Sequence, residues 1–477
     1  GIVTWEKTPY ADGEYVYDYV ERVSATSDTA SYVVPVLPHP RHCYLKKGEC
    51  NITKATIVEE VEADLPADGY FMRLKSDEIY ISAADSAGLF YAHQTLAQLP
   101  TVVQCMEIID FPDLHYRALM LDIVRNYYPV DSIRRVLDVM AQYKLNVLHL
   151  HLSDDEAWRL EIPGLPQLTD IGSKRGYTTD EGECLLPMYC GGWDANANTT
   201  ANGYITREEY IDLLKYAKER HIRIIPEIDM PGHSAAFERA MGFSMQTEEG
   251  KKVLKAALDE VIEVFTDAPY IHIGGDEAGT TAAYLNEMIA YVESKGKKAG
   301  IWNPINGISQ DKLNASLAQM WGTRGYMASG KANIDCRYNY TNHFDVFADL
   351  VGIYKSNIYY ESKGNKTVAG AISACWNDRK VESVADIMAQ NNIYANVIAT
   401  AERAWIGGGK RYIDNCTNGG TNGGGGVMLP NSGDEYEEFA DWERRFLFHK
   451  ANSLKNEPIP YVKQSNVRWR ITDAFPN

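Results

Sequence analysis

The chain has 477 residues, 45% of them hydrophobic and 23% charged, an ordinary globular composition with ample core material for two domains. A formal net charge of -18 argues against nucleic acid or anionic membrane surfaces as partners. No stretch approaches the run of about 18 apolar residues that a transmembrane helix needs, so no membrane span is expected.

Residues 1–113 read as a small α+β domain. Short β-like runs, "YFMRL" (Tyr70 to Leu74) and "IYISAA" (Ile79 to Ala84), precede a helix-like segment from Ala87 to Leu99. The chain opens on Gly1-Ile2-Val3 without an initiator Met, which reads as a mature or trimmed start. Of the eight cysteines, Cys43 and Cys50 flank a six-residue gap and Cys184 and Cys190 a five-residue one, both in turn-like sequence. Short-loop disulfides of a secreted or otherwise exported protein are expected there. Cys375, inside an apolar run, is expected to be a buried free thiol. Neither pair has zinc-ligand spacing. Six N-x-[ST] sequons, at Asn51, Asn198, Asn314, Asn339, Asn365 and Asn415, fit export from a eukaryotic cell and carry no meaning in a bacterial one.

From His115 onward the pattern alternates. "ALMLDI" (Ala118 to Ile123) is a continuous apolar run, as expected of a strand covered on both faces. Asp131 is expected to cap a helix whose Ile133, Val136, Leu137 and Met140 share a face. "VLHLHL" (Val147 to Leu152) follows, and then the capping-box spacing of Thr206 and Glu209 leads through a helix to "IRIIPEI" (Ile222 to Ile228). A helix from about Lys251 to Phe265 delivers the chain to "YIHIGG" (Tyr270 to Gly275). Further runs are "AGIW" (Ala299 to Trp302), "LAQMW" (Leu317 to Trp321), "NIDC" (Asn333 to Cys336) and "AISACW" (Ala371 to Trp376). Eight strands separated mostly by helices predict an α/β fold, a (β/α)8 TIM barrel over residues 114–477.

In such a barrel, function collects at the C-terminal strand ends. The first strand carries Arg117 at its start and Asp122 near its end. The second ends in His151, Asp154 and Asp155, the third in Glu227, Asp229 and His233, and the fourth in Asp276 and Glu277. Three further strands end in Trp302, Trp321 and Trp376, residue types that wall pockets for the apolar faces of sugar rings. Two carboxylates in one pocket perturb each other, so that one tends to keep a proton near neutral pH. That is what a general acid beside an ionised partner requires.

"YRALMLDIVRNYYP", "NVLHLHLSDDEAW", "PEIDMPGHS", "HIGGDE" and "ATAERAW", in this order, resemble the family 20 glycoside hydrolases, the β-N-acetylhexosaminidases. The resemblance covers essentially the whole chain, and "GLFYAHQTLAQL" (Gly88 to Leu99) looks like the closing helix of that family's N-terminal non-catalytic domain. It implies an exo-acting enzyme that removes terminal β-linked GlcNAc, with GalNAc as the variant, from oligosaccharides or glycoconjugates. The mechanism implied is substrate-assisted retention, in which the 2-acetamido oxygen attacks the anomeric carbon and forms an oxazolinium ion. By motif, Glu277 would be the general acid and later the base, and Asp276 would orient the acetamide N–H. Arg117 matches the arginine that binds O3 and O4, and Trp302, Trp321 and Trp376 the tryptophans lining the pocket. Tyr340, with Tyr338 as its rival, would donate to the acetamide oxygen, and Asn342 would lie near O6. Asp154 and His233 would support the acid, and Asp378 would stand where the family contacts O4. No cofactor and no metal are implied. This chain departs from the family pattern in Asn303-Pro304 after Trp302 and in Asn377-Asp378 after Trp376.

Two relatives' activities, release of a disaccharide and of a sulfated sugar, are the alternatives within the family. Outside it, His149-x-His151 with Asp154 and Asp155 has the residue types of a metal-dependent amidohydrolase, although the matching residues in the hexosaminidase family bind no metal.

Overall fold

Alternating side chains give the sheet of the first unit its buried face. The computed structural model describes residues 7–9, 15–17, 34–175, 200–321, 325–337, 341, 350–358, 368–377, 383–390, 392–410, 429–430, 432–461 and 463–466. Contacts divide the chain into two compact units, one of Gly1–His115, Phe344–Gly364 and Tyr394–Asn477, the other of Tyr116–His343 and Asn365–Ile393. The first holds a ribbon of β1 (Lys7–Pro9) and β2 (Tyr15–Tyr17). It also holds a sheet of β3 (His42–Asn51), β4 (Thr56–Glu60), β5 (Tyr70–Leu74), β6 (Glu78–Ala83) and β7 (Val102–Asp110), in the order β3-β7-β5-β6-β4. Tyr70, Met72 and Leu74 of β5 alternate with the half-buried Phe71 and Arg73 and pack with Ile79 and Ile81 of β6 against Tyr91 and Leu96 of helix α1 (Ser86–Gln98). Asp85 caps α1 by accepting from the Gly88 N–H at 2.7 Å.

Buried Asp110 fastens this unit. It accepts from the Tyr70 hydroxyl at 2.8 Å, the Arg41 N–H at 2.9 Å and the Trp405 indole N–H at 2.7 Å. Trp405 lies in the helix Ile393–Ile406, where Glu402 accepts from Arg445 at 3.1 Å and from the His39 N–H at 2.7 Å. The "ATAERAW" run is therefore a structural part of this unit.

The Cys43–Cys50 disulfide is not formed. Both residues lie on one long strand, β3, opposite Ile108 and Val103 of β7. Five residues of register amount to roughly 17 Å, against the about 4.4–6.8 Å that a disulfide spans between Cα atoms. Cys43, Cys50, Cys105, Cys336 and Cys375 are free and buried, the last as its apolar run implies. Burial pushes the Cys43 thiol up to about 12. Cys184 and Cys190 lie outside the described residues.

The second unit contains the barrel, and all eight expected strands are present. They are β8 (Tyr116–Asp122), β9 (Val147–His151), β10 (Arg223–Glu227), β11 (Tyr270–His272), β12 (Lys298–Asn303), β13 (Leu317–Met320), β14 (Ala332–Asp335) and β15 (Val368–Cys375). They pair in parallel and β15 returns to β8, which closes the barrel. Every residue of β8 is buried, as a run apolar on both faces requires. Ala118, Met120, Val147, Ile225, Ile334 and Ile372 fill the interior. Because the strands are parallel, the residues that follow each of them share one rim.

Helix α2 (Val130–Gln142) buries Ile133, Val136, Leu137 and Met140 as expected, but Pro129 and not Asp131 stands at its cap. Proline's fixed φ, here -57°, starts the helix early, and Asp131 sits in the first turn, holding Arg134 at 2.8 Å. Helix α3 (Arg207–Lys218) begins on the expected Thr206–Glu209 capping box. Thr247 caps helix α4 (Glu248–Val264).

The seam between β15 and β8 is tight at one point, where a Cβ on Gly370 would fall 2.1 Å from the Tyr116 carbonyl oxygen. Gly370→Ala is expected to cost about 1–3 kcal/mol through overpacking, measured as a lower unfolding midpoint in urea.

Candidate active site

The rim loop after β11 solves a steric problem with glycine. Gly274 and Gly275 have φ of +68° and +97°, and a Cβ at Gly274 would fall 1.8 Å from the Asp229 carboxylate. Only glycine lets the chain pass there. Glu277 follows with φ of +46°, an uncommon conformation for a residue with a side chain. The adjacent acids therefore differ in environment. Asp276 is buried at 8% exposure, whereas the Glu277 side chain is 55% exposed.

His233 stands between these acids and a buried carboxylate. Its Nε2 lies 3.3 Å from Glu277 Oε2 and 3.7 Å from Asp276 Oδ2, and its Nδ1 lies 3.1 Å from Asp154 Oδ1 and 3.7 Å from Asp155 Oδ2. Burial opposes a charge on His233, but Asp154 and Asp155 outweigh it and hold the imidazole well above its ordinary range. Asp154 accepts the Asp155 N–H at 2.7 Å and lies 2.6 Å from His151 Nε2 and 3.0 Å from Arg125 Nη2. Burial alone would raise Asp154, yet Arg125, His233 and His151 keep it well below the usual carboxylate range.

Asp276 differs from the expectation of mutual perturbation with Glu277. The carboxylate that faces it is Asp229, which with His233 and Asp276 brings its ligand atoms within 4.8 Å. Burial pushes Asp276 up to about 6, with His233 acting the other way and Glu227 adding to the rise. Asp229 is raised by burial and by Asp276, and its Oδ1 accepts the Gly275 N–H at 3.1 Å.

Beneath the rim, Glu227 is surrounded. His149 Nε2 and His151 Nδ1 lie 2.6 and 2.9 Å from its Oε2, and the Trp302 indole N–H donates to Oε1 at 2.7 Å. Trp302 is only 1% exposed and packs on the rings of His149, His272 and Trp376. It is a floor of buried ring rather than an open wall. Trp321 and Trp376 are half-buried, the Trp321 indole N–H donating to the Pro304 carbonyl at 2.9 Å. The His-x-His pair is thus engaged by carboxylates at hydrogen-bond distance.

Arg117 is corrected. It lies at the start of β8, away from the rim, fully buried, with Nε donating to the Lys144 carbonyl at 2.7 Å and its N–H to Asn146 Oδ1 at 2.9 Å. The arginine on the rim is Arg125. It contacts Asp122 at 3.1 Å, Asp154 at 3.0 Å and Glu156 at 2.8 Å, with its guanidinium 5.5 Å from the centre of the Trp376 ring. Chain direction was the available signal: Arg117 precedes the apolar run and Arg125 follows it. Of the departures from the family pattern, Asn377 is buried and donates to the Asp122 carbonyl at 2.7 Å and to the Tyr128 hydroxyl at 2.8 Å, tying the end of β15 to that of β8. Asn303 is likewise buried, donating to the Tyr326 carbonyl at 2.5 Å. Tyr340, Asn342 and Asp378 lie outside the described residues.

Comparison with known proteins places this arrangement among relatives. The sequence profile "Glycosyl hydrolase family 20, catalytic domain" matches residues 114–252, and "Glycosyl hydrolase family 20, domain 2" matches residues 20–111. The N,N'-diacetylchitobiase of Vibrio harveyi is 41% identical over 214 residues, covering 43% of this chain and 24% of that protein. A β-hexosaminidase of Vibrio vulnificus is 40% identical over 186 residues, covering 38% of this chain and 22% of that one. The matches thus span about a quarter of these relatives' own length. Among solved structures, the Vibrio harveyi exo-β-N-acetylglucosaminidase in complex with N-acetylglucosamine superposes with a TM-score of 0.69 at 21% identity, over 94% of this chain and 83% of that one. A β-N-acetylhexosaminidase from Bacteroides fragilis gives 0.68 at 23% identity, over 91% and 99%. At these identities the structural likeness speaks for the fold.

A test of the electrostatics follows from Asp276. Its folded-state pKa is raised, so the stability it contributes is fully present below its unfolded value and is lost as pH rises through about 6. Asp276→Asn carries no such charge, so its melting temperature is expected to gain on the wild type between pH 4 and 7, as thermal denaturation across that range would read.

Proposed function

Because the chain belongs to glycosyl hydrolase family 20, we propose that it is an exo-acting β-N-acetylhexosaminidase, hydrolysing terminal β-linked GlcNAc from oligosaccharides or glycoconjugates with retention of configuration. The observation that carries this reading is the division of two adjacent acids, Asp276 turned into the barrel and Glu277 turned out, with His233 Nε2 within 3.7 and 3.3 Å of them. The names of the chitobiase and hexosaminidase relatives support the same substrate class.

The chemistry proceeds from that division. The substrate's acetamide oxygen attacks the anomeric carbon and forms the oxazolinium ion, while exposed Glu277 protonates the departing glycosidic oxygen. Asp276, ionised above about pH 6, accepts the acetamide N–H and offsets the positive charge that develops there. Glu277, now a carboxylate, then takes a proton from the water that opens the ring. Trp376 and Trp321 offer the half-buried aromatic surface that the sugar needs. Arg125 takes the role first read for Arg117, because a guanidinium held by three carboxylates beside Trp376 is placed for the hydroxyls of a terminal sugar.

The first experiment compares kcat/KM for an aryl β-N-acetylglucosaminide and the matching aryl β-glucoside. A preference of several orders of magnitude, on the order of 10³ or more, is expected if the acetamide supplies the nucleophile; comparable rates would overturn the mechanism. Arg125→Lys is expected to lower kcat/KM about 10- to 100-fold through loss of charged hydrogen bonds. Arg117→Lys is expected to lower the melting temperature and leave KM within about twofold, a contrast that steady-state kinetics and a thermal melt would settle together.

A further inference from the structure

We propose that Glu227, inside the barrel, is a positioning residue for the general acid, acting through His151, Asp154 and His233. The inference rests on the reading of Glu277 as that acid. Four contacts join the two glutamates. Glu227 Oε2 lies 2.9 Å from His151 Nδ1, and His151 Nε2 lies 2.6 Å from Asp154 Oδ2. Asp154 Oδ1 lies 3.1 Å from His233 Nδ1, and His233 Nε2 lies 3.3 Å from Glu277 Oε2. Carboxylate and imidazole alternate along the whole path, from a residue that is 0% exposed to one whose side chain is 55% exposed.

Alternation is what makes such a path stiff. Each imidazole is hydrogen-bonded to Asp154 through one nitrogen and has a second carboxylate oxygen within 3.3 Å of the other, so each ring is oriented by Asp154 and favoured in its charged form by both neighbours. None of the four members behind Glu277 can change its charge without leaving a neighbour uncompensated in a poorly solvated interior. The electrostatics agree in direction. Burial works against the charges on His151, Asp154 and Glu227, yet the neighbours raise the imidazole and lower both carboxylates.

The other groups facing Glu227 do not carry the same link. From β9, His149 meets the same oxygen at 2.6 Å but has no place on the path to the acid. From β11, His272 Nδ1 lies 3.5 Å away, accepts the Gly274 N–H at 3.1 Å, and burial pushes it down to about 3, so it is neutral. Asp229, whose carboxylate comes within 4.8 Å of Glu227 and His151, and Asp276 feel Glu227 as a like charge that raises them and opposes ionisation. Trp302 takes Oε1 at 2.7 Å. That contact offers a rival route, through the shape of the pocket rather than through the acid.

Leaving-group dependence separates the two routes. A phenol of high pKa needs protonation as it departs, whereas dinitrophenolate does not. The experiment measures kcat and KM for phenyl and 2,4-dinitrophenyl β-N-acetylglucosaminides with the wild type, Glu277→Gln, Glu227→Gln and His151→Gln. For Glu227→Gln, kcat/KM, which reports cleavage of the glycosidic bond and not the later attack of water, is expected to fall about tenfold or more on the phenyl glycoside and less than about threefold on the dinitrophenyl one, as partial loss of general acid catalysis requires. Equal losses of kcat/KM on both would overturn the proposal. His151→Gln keeps a donor for Asp154 and severs the link to Glu227, so it is expected to reproduce the pattern and decides the matter if Glu227→Gln does not fold. Glu277→Gln is the control. If it loses equally on both substrates, the acid has been misassigned; if it shows the dependence and the two interior variants do not, only the present inference falls.

Discussion

Asp154 keeps a negative charge inside the protein because donors approach it from several sides. An isolated carboxylate at such a depth would simply take up a proton. Here Arg125, His151 and His233 surround it, together with the N–H of Asp155, and the charge is more stable than on a free side chain. Those partners come from the loop after β8, from β9 and from the loop after β10, so one buried anion sets the relative positions of three adjacent segments of the rim. Buried ion pairs are weak evidence for net stability, since desolvation consumes most of what the attraction supplies. What they supply is geometry, because a partly unmade network is costlier than any single bond within it.

The adjacent acids acquire separate characters from the backbone that carries them. Two glycines with positive φ and a strained Glu277 turn the chain so that neighbouring side chains leave in different directions. Asp276 thereby faces Asp229, 47 residues earlier in the chain, and the charge of Asp276 raises Asp229. Sequence adjacency was real information about the site and a poor guide to which carboxyls interact.

Much of the fold was legible because hydrophobic runs and capping residues act locally. The eight barrel strands, the buried face of α2 and the Thr206–Glu209 box all follow from patterns a few residues long. Local patterns are silent where a choice depends on distance in space. Cys43 and Cys50 are near in sequence but lie on one extended strand. Arg117 and Arg125 both flank the same apolar run, and only the strand's direction decides which reaches the rim. Trp302 ends its strand like Trp321 and Trp376, yet the Glu227 carboxylate draws its indole inward. The importance of Glu227 itself was hidden, because nothing local to "IRIIPEI" announces three imidazoles arriving from two other strands.

The seam that joins β15 to β8 also sets a timetable. Its partners, Gly370 and Tyr116, are separated by roughly 250 residues, so the contact forms late and at a large cost in chain entropy. A chain growing from its N-terminus holds β8 ready long before β15 exists. Through that interval one margin of the nascent parallel sheet has hydrogen-bonding groups but no mate, the condition under which strands find partners on other molecules. A chain cut short before β15 would keep that margin open permanently.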